Sequence, residues 1–265
     1  MDPATPSRSQ VSRRPFGPRQ GIFLIIGMML ASAFGSALVG FIWGMHASTI
    51  TELAQSKPAP HLIKHLAATM PSWLIAISAL SGSLLAALWV FGYTVFAARP
   101  YLELGSSQGL AWRPARPRGY LAAFLLSLVA LIVVIGTAAI IPPNSKHLVG
   151  PVEQLGKIPG ISHLAFILIA VFIAPITEEL AFRGVLLASL ARRYSVATAV
   201  TVTTLVFVAL HAPDKIHYWP GFIDVGVLAL LAAYVRLKYE SLRPAILLHF
   251  FYNGSILLLA ALVPK

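Results

Sequence analysis

Runs of about 20 apolar residues recur along this chain, each long enough to cross the roughly 30 Å hydrocarbon core of a bilayer as a helix. Inside lipid every backbone N–H and C=O must be satisfied within the protein, which leaves helices or a closed barrel, and runs of this length favour helices. Seven spans are predicted, at residues 21–45, 72–98, 119–141, 163–190, 195–211, 221–237 and 244–262. The expected fold is therefore all-α, a polytopic transmembrane helical bundle. The fifth and sixth spans are the shortest, and the sixth carries Asp224, read as a first-turn acid favoured by the helix dipole.

Charge tests the span count independently. The chain is 57% hydrophobic and 11% charged, with a net charge of +11. A basic balance of this size can mean nucleic acid, but 13 of the 20 Lys and Arg residues fall in alternate segments between apolar runs. Those segments are the N-terminal tail, the loop with Arg99, Arg113, Arg116 and Arg118, the pair Arg192 and Arg193, and the trio Arg236, Lys238 and Arg243. Their alternation predicts a cytoplasmic N-terminus and an external C-terminus, and no nucleic-acid partner. Residues 1–19, rich in Pro, Ser and Arg, are expected to form a disordered tail. Its Ser12-Arg13-Arg14-Pro15-Phe16 is similar to a twin-arginine export signal, but the apolar run behind it is too long for a cleavable one. With no cysteine, chemistry must come from carboxylate, imidazole, hydroxyl or amide.

Three clusters offer such groups. Ionisable side chains at membrane depth cost roughly 2.5–3.5 kcal/mol each on insertion scales, so their retention points to use. In Thr177-Glu178-Glu179-Leu180-Ala181-Phe182-Arg183-Gly184, Glu179 and Arg183 stand at i and i+4 with the acid first, the favourable order for an ion pair. Glu178, about 100° around the helix, is left without a local cation and is the candidate general base. Pro175 is expected to loosen the helix and open room beside that carboxylate. A structural acid cluster that merely joins helices is the competing reading. The second and third clusters are Phe207-Val208-Ala209-Leu210-His211 and His249-Phe250-Phe251-Tyr252-Asn253. His249 and Asn253 share one helical face, where both can point at one oxyanion. At about 1.5 Å per residue, His211 lies about 24 Å along its helix and His249 only about 9 Å along its own, so tilt or different helix ends must bring them level. A shallow site facing the cytoplasm is preferred.

Together the clusters resemble, in order, the EExxxR, FxxxH and HxxxN motifs of the CAAX protease and bacteriocin-processing family of intramembrane proteases, which is related to the Ras-converting CAAX endopeptidase. The resemblance implies a catalytic core over residues 161–265, behind N-terminal helices (20–160) that carry no recognised motif. On that model Glu178 and His211 activate a water, His249 and Asn253 stabilise the oxyanion, and Glu179, Arg183 and Phe207 support the site. If the enzyme is instead a zinc metallopeptidase, Glu178, His211 and His249 are the candidate ligands. A metal-independent glutamate mechanism is preferred, since helix-borne zinc histidines usually stand at i and i+4 and here each has its own helix. The implied substrate is a membrane-associated protein or peptide, lipidated or not, and the expected location is a bacterial inner membrane. A catalytically inactive scaffold or immunity-type binding protein of the same fold, and a proton-coupled transporter, are the alternatives.

Overall fold

The computed structural model describes residues 17–46, 71–143 and 160–262, all of them in helices, turns or loops. The expected tail lies outside the described residues except for its last three, of which Pro18 and Arg19 already belong to the first helix. Eight helices follow: α1 (Pro18–His46), α2 (Ser72–Phe96), α3 (Pro117–Ile140), α4 (161–191), α5 (Val196–Leu210), α6 (Ala212–Lys215), α7 (Pro220–Lys238) and α8 (Leu242–Leu262). Proline opens α3 and α7, where its missing N–H costs nothing. Ser195 caps α5, its hydroxyl accepting the Thr198 N–H at 3.1 Å.

Six of these helices are long and apolar enough to cross a membrane, where seven were expected. The exception is the fifth: α5 has 15 residues, about 22 Å of helix, and cannot cross upright. The exposed apolar side chains, such as Leu30, Phe34, Leu88, Ile132 and Leu205, are far more than a water-soluble surface carries and suit contact with lipid. They mark a multi-pass integral membrane protein. Burial orders the bundle: only 17% of the apolar window is buried in α1 and in α3, against 56% in α7. α7 packs against α3, α8 and α5.

α1 and α2 meet along a seam of small residues. A Cβ on Gly35 would lie 2.8 Å from the Ser81 carbonyl oxygen, and one on Gly82 would lie 2.7 Å from that of Ser32. Ser36 and Ser78 each donate a hydroxyl to the other's carbonyl, at 3.1 and 3.0 Å. This pair of helices packs against α4. Close approach recurs at Gly21 of α1, whose Cβ would fall 2.1 Å from Ser189 Oγ of α4.

Within α4 the backbone departs from a regular helix twice. Residues Ile169–Ile173 and Leu180–Leu186 are π-helical, and the α-helical turn Ala174–Glu179 between them carries Pro175 and both glutamates. Asp224 lies at the fifth position of α7, not in its first turn, and its Oδ1 accepts the Thr137 hydroxyl of α3 at 3.0 Å. The dipole reading of Asp224 gives way to an interhelical hydrogen bond.

Candidate active site

The i and i+4 spacing of Glu179 and Arg183 delivers its ion pair: Arg183 Nη1 donates to Glu179 Oε1 at 2.9 Å, with both side chains almost wholly buried. The same oxygen lies 2.9 Å from His249 Nδ1 of α8. A carboxylate cannot donate, so the proton of this contact sits on Nδ1, and Nε2 faces the other way. That nitrogen is turned toward Glu178, 3.9 Å from Oε2. At this separation one water bridges the two groups more readily than a direct hydrogen bond joins them.

The two neighbouring acids therefore have opposite surroundings. Glu179 is fully buried and committed to a guanidinium and an imidazole. Glu178 keeps 26% of its side chain exposed and makes no hydrogen bond to a described residue. Removing either partner of a buried ion pair is far more costly than removing a partly exposed charge, so Glu179 is held in place by its partners while Glu178 is the more accessible acid.

Phe207 joins the remaining cluster to this centre. Its ring is buried, carries the Arg183 guanidinium at 4.3 Å from its centroid, and stands edge-on to Phe182 at 5.0 Å. The His211 ring lies 4.6 Å from it and the His249 ring 6.1 Å. His211 Nδ1 is 2.8 Å from the Phe207 carbonyl oxygen, an acceptor, so this proton too sits on Nδ1 and leaves Nε2 outward as the basic nitrogen.

Asn253 is placed differently. Its Nδ2 donates to the Ala170 carbonyl at 2.7 Å, in the first π segment of α4. A π segment disturbs the regular ladder and opens its carbonyls to outside donors, and Asn253 takes one of them. As arranged, the carboxamide fastens the helix that bears Glu178.

For zinc the donor set does not fit. Among the described residues no three His, Asp or Glu side chains are grouped to hold a metal ion.

Beside Pro175, on the flank of α4, runs an apolar groove of about 280 Å³ walled by Val171, Phe172, Ile176, Ile246 and Phe250, with Arg243 at its rim. It borders Pro175, with a π segment just ahead, but neither glutamate lines it, so this groove is not the room expected beside the Glu178 carboxylate.

A buried carboxylate–imidazole pair beside a second, accessible carboxylate, all on membrane helices, defines the class: a polytopic helical protein with the groups needed for hydrolysis. Residues 160–255 match the family described as type II CAAX prenyl endopeptidase Rce1-like, and the chain carries a domain of that family. A domain of that family implies a protease. No curated protein and no solved structure matches the chain.

Proposed function

We propose that this protein is an intramembrane endopeptidase that cleaves a peptide bond near the lipid anchor of a membrane-associated protein, with Glu178 as general base. The observation that carries the reading is the division of labour between the two glutamates: one buried and paired through Oε1 with a guanidinium and an imidazole, the other open and facing an imidazole. Glu178 takes a proton from water as the water oxygen attacks the scissile carbonyl carbon. His211 Nε2 supports the same water. When Nε2 of His249 carries a proton, it donates to the oxyanion while Glu179 holds Nδ1–H. Collapse breaks the C–N bond, and the proton on Glu178 passes to the leaving amine, so that one water is consumed and an acid and an amine are released. On this reading Asn253, with one amide hydrogen held by Ala170, positions α4 and keeps a second amide hydrogen for the oxyanion. The groove beside Pro175 suits an apolar chain attached to the substrate, and a prenylated peptide ending in a CAAX sequence is the probe of choice.

The test uses full-length protein in lipid vesicles with that probe, labelled on either side of the expected bond. Cleavage by wild type that is lost in Glu178→Gln and His211→Gln supports the peptidase. Probe binding without cleavage in wild type points to a scaffold, cleavage that persists in Glu178→Gln removes Glu178 as the base, and proton-driven flux into the vesicles points to a transporter.

A further inference from the structure

Arg236 of α7 is fully buried, yet its partners are carbonyl oxygens throughout. Nη1 donates to Gly105 at 3.2 Å, Nη2 to Ser106 at 2.9 Å and also to Gly109, and Nε to Arg183 at 3.4 Å. The first three acceptors lie in the segment between α2 and α3, outside the 160–255 region. The fourth is backbone of the second π segment of α4, in the residue whose side chain holds Glu179. We infer that Arg236 is a positioning residue for the reaction: it locks the π segment of α4 to the segment between α2 and α3, and so sets where Glu178 and Glu179 stand.

The surrounding junction is built to hold a fixed shape. Leu242 N–H, at the start of α8, donates to Ala111 O at 2.8 Å, Ser241 Oγ donates to Arg113 O, and Arg192 Nε donates to Gln108 O at 3.3 Å. Both non-glycine residues with positive φ among the described residues, Ala111 at 54° and Glu240 at 47°, stand here. Such backbone persists only where its surroundings over-determine it. The planar fork of arginine offers five donors and can reach several carbonyls at once, whereas lysine offers three from a point. The chemistry therefore asks for arginine at 236 specifically.

The inference rests on the peptidase reading, and its test separates the two. Arg236→Gln, Arg236→Lys and Ser241→Ala are made in the full chain and reconstituted. Ser241→Ala loosens the same junction without touching α4. Amide hydrogen exchange is followed over residues 102–112 and 180–190, with kcat and KM on the prenylated probe. Arg236→Gln is expected to speed exchange in both segments and to lower kcat about 10- to 100-fold, as a displacement of about 1 Å can. KM should stay within about twofold, the pattern of a lost transition-state alignment. Arg236→Lys should recover part of the rate, and Ser241→Ala should speed exchange over 102–112 alone. Wild-type exchange over 180–190 in Arg236→Gln overturns the proposal. So does a loss of kcat no greater than that of Ser241→Ala at equal loss of thermal stability. If wild type fails to cleave any probe, the peptidase reading falls, while the exchange data still decide whether Arg236 couples the two segments.

Discussion

Exchanging either glutamate for glutamine removes one charge and almost no volume, yet the two variants should fail in opposite ways. Glu179 is fully buried and its Oε1 serves Arg183 and His249 at 2.9 Å each. Glu179→Gln strands the Arg183 cation inside the protein, a change that typically costs about 3–5 kcal/mol. At roughly 2–4 °C per kcal/mol for a chain of this size, the unfolding temperature should drop by about 6 to 20 °C. Glu178 is partly open and its carboxylate is 3.9 Å from His249 Nε2. Glu178→Gln should therefore change stability by less than about 0.5 kcal/mol. Its cleavage rate should fall about 100- to 10,000-fold with the loss of the general base. Tryptophan fluorescence on heating in detergent, paired with probe cleavage at a temperature where both variants remain folded, measures the two effects separately. Equal unfolding temperatures for the two variants would refute the reasoning, as would a Glu178→Gln enzyme that cleaves at the wild-type rate.

Other outcomes follow from the same geometry. His211→Gln should lower cleavage about 100-fold or more with little change in unfolding temperature, because the ring is half-buried and its one hydrogen bond is to a carbonyl one turn back; equal activity would remove His211 from the site. Gly82→Leu should destabilise the α1–α2 seam by about 1–3 kcal/mol through overpacking, while cleavage per folded molecule stays at the wild-type level; a neutral melt would show that these helices are not in close contact. Cleavage should survive exhaustive chelation followed by metal analysis, because no three of the described side chains converge on a metal; activity restored only by added zinc would reverse that expectation.

The helical class and the candidate residues were legible because each rests on side-chain identity at fixed spacing. An acid four residues before an arginine predicts the pair seen at 2.9 Å, and apolar runs near 20 residues predict spans. The details that escaped are of another kind. α5 is short because Ser195 caps it and His211 ends it, and hydropathy averaged over flanking residues hides both ends. The π segments leave no mark in the sequence pattern, since residues of the kinds they hold, such as Ile169, Phe172 and Gly184, recur throughout the other apolar helices. Arg236 entered the charge tally as one more basic loop residue, although its guanidinium is wholly enclosed; counting charges does not reveal which are buried. The partner of Asp224, Thr137, is 87 residues away in the chain, and that of Asn253, Ala170, is 83.

The π segments make α4 sensitive to insertions and deletions. Because each residue advances an α-helix by about 100°, deleting any one residue from Leu180–Leu186 would let regular winding resume and swing everything upstream around the axis. The two acids would then address a different wall of the bundle, with no side chain altered near them. Natural variants of this stretch should accordingly tolerate swaps of apolar letters far better than any change in its length.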